Sequence, residues 1–387
     1  MLTPIFLVPS FGFGDRLGLA TPGHIAAVRG TKFAPIYAQQ SVRENARTGR
    51  TPQQVMDDAR RAVEDFKWDA PWGADADHLK TVDDLPPFVK AGYTFFTVDP
   101  GAHVDNAADT DPLAVLQEKA RGSDLDQLSD LYLRQTGEQA WGAFDPQKLL
   151  WAEVKYGQAI HHTVAMYRRL SELKDEFDFE VSVDETDSPT TPLEHFFIVS
   201  ELTRQGVKFT SLAPRFNGRF EKGVDYIGDL AALDAELAKH AAVTAHFGTY
   251  KLSLHSGSDK FSVYPLIVKH WGERLHVKTA GTSYLEALRA LAATEPALFE
   301  QIWVLGLEHY PTDRATYHVS ADVEKVPAGA AQPGFLDDFH AREILHVTFG
   351  SALAQFGAEM RAALVKHADV YNVNLQKHFR RHLDLLK

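Results

Sequence analysis

The sequence contains no cysteine. That absence excludes disulfides, thiolate-bound zinc and cysteine nucleophiles, and it fits a reducing compartment. No run of about 18 uncharged apolar residues occurs, so no membrane-spanning helix is predicted. The opening segment MLTPIFLVPSFGFGD carries no basic residue before its apolar stretch and is broken by Pro4 and Pro9. It reads as an initial strand and loop rather than a secretory signal. A basic excess is also missing: 40 Lys and Arg face 52 Asp and Glu, for a formal charge of −12. Neutralising nucleic-acid phosphates needs a basic face, so such a partner is not expected. No GxGxxG follows a strand to open a dinucleotide site. Internal repeats, low-complexity tracts and flexible linkers are absent too. What remains is a soluble, cytoplasmic protein with a small-molecule partner and no membrane attachment.

Hydrophobic residues make up 44% of the 387-residue chain, enough to bury a full core. Short β-like runs alternate with amphipathic helical runs, which indicates a parallel sheet because each crossover returns the chain in the same direction. Nine strands are predicted: Ile5 to Val8, Pro35 to Ala38, Trp72 to Ala76, Thr94 to Val98, Glu180 to Val183, Lys208 to Leu212, Tyr250 to Leu254, Leu275 to Lys278 and Leu345 to Thr348. Eight close a (β/α)8 TIM-type barrel, and the first is expected to lie across one end. Helix starts carry capping boxes at Thr51 with Gln54, Thr191 with Glu194, and Ser283 with Glu286, each pairing a hydroxyl cap with an acid or amide three residues on. The chain, 1–387, reads as one barrel domain with two long insertions, 101–147 and 310–338. Both read as lids near the barrel mouth or, equally, as decoration or contacts between copies in a homo-oligomer.

The working face of such a barrel is the C-terminal end of its strands, and ionisable residues crowd there. In GADADHLK, strand alternation points Asp75 and Asp77 the same way while His78 leaves at the turn. Histidine beside carboxylate suits metal ligation or acid–base chemistry, the alternative being a helix cap. In YKLSLHSGSDKF, Lys251, Ser253 and His255 share one strand face, and the backbone of Ser256 to Asp259 could approach an oxyanion. The run DFEVSVDETDSPT holds Glu180, Asp184, Glu185 and Asp187; Glu180 stands out because apolar residues flank it within a strand, where a carboxyl can titrate high. In HVKTAGTSYLEAL, Lys278 precedes a turn of Gly281, Thr282 and Ser283 that could cradle a carboxylate or phosphate at a helix N-terminus, or simply start a helix. His161 and His162 read as surface or packing residues on a long helix.

These strings, with SFGFGDRLGLATPGH, IYAQQSVRENARTGRT, TFFTVDPG, RFNGRFEKGVDY and FHAREILHVTFGS, resemble the tagaturonate epimerase family over nearly the whole chain. That family interconverts tagaturonate and fructuronate and has relatives acting on fructose and tagatose; its members carry an extra N-terminal stretch. Position by position, the resemblance implies that Asp77 is a proton acceptor, Glu180 a proton donor, and His78 and His255 ligands of one divalent cation. Glu221 in the RFEKG loop is the favoured third ligand, with Asp184 or Glu185 as the fallback. Two imidazoles and a carboxylate suit Zn, Mn, Ni, Co or Fe(II) alike. Lys251, Lys260, Lys278, Thr282 and Ser283 are the candidates for holding the substrate carboxylate.

The implied reaction inverts a carbon β to both ketone and carboxylate, whose C–H neither group acidifies. Retro-aldol cleavage, rotation of the aldehyde fragment and re-addition is therefore expected, with Asp77 taking the hydroxyl proton and Glu180 protonating the opposing oxygen. A metal-dependent barrel aldolase or ketose isomerase would share every feature. A non-catalytic sugar-acid binding protein would keep the anion cradle but have no use for the two imidazoles.

Overall fold

The computed structural model describes residues 1–123, 125–133, 139–327 and 333–387. Residues 124, 134–138 and 328–332, which fall in the two predicted insertions, lie outside it.

Eight parallel strands close a barrel in sequence order: β1 (Ser10–Gly14), β2 (Ala34–Ser41), β3 (Gly73–Leu79), β4 (Phe95–Val98), β5 (Asp178–Val183), β6 (Ser211–Pro214), β7 (Lys251–Leu254) and β8 (Leu275–Thr279). β8 returns to β1 with Ser10 opposite His276 and Phe13 opposite Thr279. Helices follow the strands on the outside, as the sequence pattern requires, and none among the described residues is long and apolar enough to cross a membrane.

Two of the nine predicted strands are corrected. Ile5 to Val8 is a turn, because both oxygens of the Asp178 carboxylate accept successive backbone N–H groups there, from Ile5 at 2.5 Å and Phe6 at 2.8 Å. Phe6 consequently adopts φ 50°. The strand comes one step later, at Ser10, and it is part of the closed barrel. Leu345 to Thr348 is the end of a helix, Phe339–Val347, whose start is fixed by the Asp338 carboxylate accepting from Ala341 N. Its apolar run is buried as a helix, which a short β-rich window does not distinguish from a strand. Two of the three capping boxes form, at Thr51 and at Thr191. The third does not: Ser283 Oγ instead donates to Gly14 O at 2.7 Å, and Glu286 pairs with Arg289.

Ile5, Ile36 and Phe95 pack together as a small apolar cluster separate from the main core. Above it the barrel interior turns polar. The described part of 310–338 lies over the mouth, where Tyr317 and His318 line a cleft and Ser320 bonds to Glu221. In the described part of 101–147, Asn106 accepts from Asp187 N and Asp109 from Ser188 Oγ in the loop after β5, Asp109 pairs with Lys155 at 2.9 Å, and Trp141 stacks on Phe196.

Candidate active site

At the end of β3 the regular pleat would carry His78 away from the barrel axis. Instead His78 takes φ 52°, and the pairing of β3 with β4 slips between Ala76 and Leu79. Such an irregularity re-aims a side chain, and here it turns the imidazole inward beside Asp77. His255 follows β7, and Ser256 (φ 49°) and Asp259 (φ 62°) bend the chain back over the mouth. That loop is pinned by Arg342 at 2.8 Å and His378 at 2.6 Å on the Asp259 carboxylate.

The two imidazoles stand 5.0 Å apart between ring centroids. His78 Nδ1 bonds Asp77 Oδ1 at 2.8 Å, and His255 Nε2 bonds Glu180 Oε1 at 2.7 Å. Each remaining nitrogen faces the same oxygen: Asp184 Oδ1 lies 3.6 Å from His78 Nε2 and 3.2 Å from His255 Nδ1. One ligand atom from each of His78, Asp184 and His255 lies within 4.8 Å of the others. Metal bonds of about 2.1 Å to nitrogen and oxygen need only a small contraction of this triangle. The donor set fits a divalent cation, and the carboxylates behind each imidazole fix its orientation as second-layer partners of metal-bound histidines do.

Of the sequence candidates for the third ligand, Asp184 holds this position. Glu221 lines the adjoining cleft, but its Oε2 accepts from Ser320 N at 2.9 Å and Oγ at 2.7 Å, and it stands outside the triangle. Glu185 instead faces Arg43 at 3.7 Å.

Beneath the triangle, Lys278 Nζ sits 2.6 Å from Asp75, 2.7 Å from Asp77 and 2.8 Å from Glu180. Thr97 Oγ1 completes the group, 3.0 Å from Asp75 and 3.1 Å from Glu180. Burial raises every carboxyl here, yet the charges decide the outcome. His78 and Lys278 hold Asp77 well below the usual range, and Lys278 with His255 does the same for Glu180. Asp75 is left with burial and two neighbouring carboxylates outweighing Lys278, and it is pushed up to about 7. Burial lowers the imidazoles, but Asp77 and Asp184 carry His78 well above its ordinary value, and Asp184 with Glu180 raises His255.

The predicted substrate-binding residues separate. Lys278 lines an inner chamber together with Asp77, His78, Lys222, His255 and His346. Lys251 sits at the start of β7, donating to Val8 O at 2.8 Å and Ser10 Oγ at 2.9 Å. Lys260 is buried, its ammonium donating to the backbone carbonyls of Glu221, Val224 and Ser258. Neither lysine lines the chamber or the cleft. Thr282 and Ser283 are buried and line neither the chamber nor the cleft, and Ser283 Oγ donates to Gly14 O of β1. The sequence reading passed over Lys222 and His346, which do face it. Lys222 was hidden beside Glu221, and His346 lies in the stretch read as a ninth strand.

The sequence profile of the tagaturonate epimerase family matches residues 5–386. A Thermotoga maritima protein described as tagaturonate/fructuronate epimerase is 44% identical over 395 aligned positions, which span 98% of this chain and 80% of that protein. The glycerol-complexed crystal structure of fructuronate-tagaturonate epimerase from Cohnella laeviribosi superposes with a TM-score of 0.95 at 38% identity, covering 100% of this chain and 83% of that one. Its native counterpart gives 0.94 at the same identity and coverage.

Proposed function

The chain belongs to the tagaturonate epimerase family, and from that premise we propose that it interconverts tagaturonate and fructuronate with one divalent cation held by His78, Asp184 and His255. The observation that carries the metal reading is the facing of His78 Nε2 and His255 Nδ1 on to one Asp184 oxygen, while Asp77 and Glu180 hold the opposite ring nitrogens. A cation bound there supplies Lewis-acid stabilisation to the oxygen that gains charge as the carbon–carbon bond breaks. The absence of cysteine accords with work in the cytoplasm.

The chain's own groups account for the proton traffic. Asp77 lines the chamber and takes the proton from the hydroxyl on the carbon to be inverted. The bond to the carbon next to the ketone then breaks, its electron pair passes to the ketone side, and a three-carbon aldehyde acid is released within the chamber. Rotation presents its other face, the bond re-forms, and Asp77 returns the proton to the new alkoxide, so that atoms and charge balance. The opposing oxygen borrows a proton from the cluster of Asp75, Glu180 and Lys278 as the bond breaks and returns it as the bond re-forms; Glu180, whose carboxyl is held well below its usual range, relays that proton rather than storing it. Asp75, pushed up to about 7, keeps a proton in that cluster near neutrality, and Lys278 is the member exposed to the chamber.

The test is incubation of metal-loaded protein with fructuronate, tagaturonate, fructose and tagatose, before and after chelation. Epimerisation of the uronates that stops on chelation, with a trappable three-carbon aldehyde acid, is expected. Uptake of solvent deuterium at the inverted carbon would overturn the cleavage route, and net cleavage or an aldose product would make the chain an aldolase or ketose isomerase.

A further inference from the structure

Two side chains that line the chamber, Lys222 and His346, each carry a nitrogen without an anionic partner among the described residues. Lys222 Nζ donates to Ser256 Oγ at 2.6 Å, and among the described residues no carboxylate pairs with it. Its side chain lines both the outer cleft and the inner chamber, as no other lysine or arginine among the described residues does. His346 is the second. The Arg16 guanidinium carries donors only, so the contact of His346 Nε2 with Arg16 Nη2 at 3.5 Å assigns the acceptor role to Nε2 and the ring proton to Nδ1. Nδ1 is buried with no hydrogen-bond partner. The ring occupies a slot that exists because residue 281 is glycine, where a Cβ would fall 1.9 Å from His346 Cε1. A buried donor left unsatisfied costs about 1–3 kcal/mol, which a ligand can recover.

We propose that Lys222 and the Nδ1–H of His346 form the receptor for the carboxylate of the sugar acid, and that this pair selects the acid over the neutral ketose. The inference rests on the epimerase reading and assigns its carboxylate subsite. One carboxylate offers an oxygen to each donor and neutralises the ammonium, whereas a hydroxyl leaves the charge uncompensated. In the cleavage route the carboxylate is on the departing aldehyde fragment. Anchored at that end, the fragment turns its reactive face without leaving the chamber.

Galactonate and galactitol differ only in carboxylate against hydroxymethyl, so their binding to the metal-loaded full chain reads the receptor directly. Wild type should bind galactonate more tightly, and Lys222→Met should erase about 10- to 100-fold of that preference while leaving galactitol affinity within about twofold. Lys222→Arg should restore much of it, and His346→Leu should lower it where His346→Gln, with an amide N–H, keeps more. Thermal melting identifies any variant that has failed to fold, and Lys222→Arg then carries the comparison. Equal binding of the two compounds to wild type, absence of galactonate binding, or an unchanged preference in folded Lys222→Met overturns the proposal. Should wild type show the preference and its loss in Lys222→Met, yet fail to epimerise uronates, the function fails while the carboxylate receptor stands.

Discussion

Replacing Lys278 with methionine keeps the length of the side chain and removes one charge from a place that is 4% exposed. Three carboxylates within 2.8 Å of that ammonium lose their common counter-ion. Breaking a buried ion network by deleting one partner costs about 3–5 kcal/mol. At about 2.1 cal/mol/K of unfolding entropy per residue, a chain of 387 residues loses roughly 1 °C of melting temperature for each 0.8 kcal/mol. Lys278→Met should therefore melt about 4–6 °C below wild type at pH 7.5 in chelator. The pH dependence gives a second, signed readout. In wild type, Asp77 and Glu180 sit below their ordinary values despite burial, because positive neighbours outweigh it. They contribute stability that is present above the unfolded carboxyl pKa and lost as pH falls through the folded one. In the variant Asp75 loses its one positive neighbour and Glu180 its largest, so burial moves both folded values upward and more stability is gained as pH falls. The gap between the two proteins should narrow from pH 7.5 to pH 5, as followed by tryptophan fluorescence or calorimetry, and Asp75→Asn added to the variant should close part of it at pH 7.5. A variant melting within about 1 °C of wild type at pH 7.5, or a gap that widens on acidification, would refute the reasoning.

Asp184→Asn should strip the metal and the activity together, whereas Glu221→Gln should retain metal; emission spectroscopy on dialysed protein checks both. Glu180→Gln weakens the acceptor behind His255, and competition with a chelator should reveal a metal affinity lower by about 10- to 100-fold. Gly281→Ala forces a methyl into the His346 ring, with an expected loss of about 1–3 kcal/mol from overpacking. Adding His346→Ala should recover the melting temperature but not the acid preference.

The barrel was legible because its signals are local and repeated: a hydroxyl cap, a proline and an acid or amide at Thr51 and Thr191 mark helix starts whatever surrounds them. The two strand errors came from long-range partners. Nothing near Ile5 announces that Asp178, far along the chain, will turn its backbone, and nothing near Leu345 announces that all its faces will be covered. That His78, His255, Asp77 and Glu180 come together was legible because all four stand on or just past strands at the working end of the barrel. Asp184 was harder to rank, since four acids within eight residues look like a solvated loop until one of them is seen between two imidazoles. Lys251 and Lys260 misled for the converse reason: a lysine near a strand does not reveal whether a carbonyl or a ligand satisfies it.

His78 reaches the centre through a backbone twist that L-amino acids resist, and Ser256 beside His255 does the same. Glycine would relax at either position, by an amount of order 1 kcal/mol each. Selection for heat resistance alone would thus favour glycine at 78, giving a sturdier barrel without the imidazole that faces Asp184.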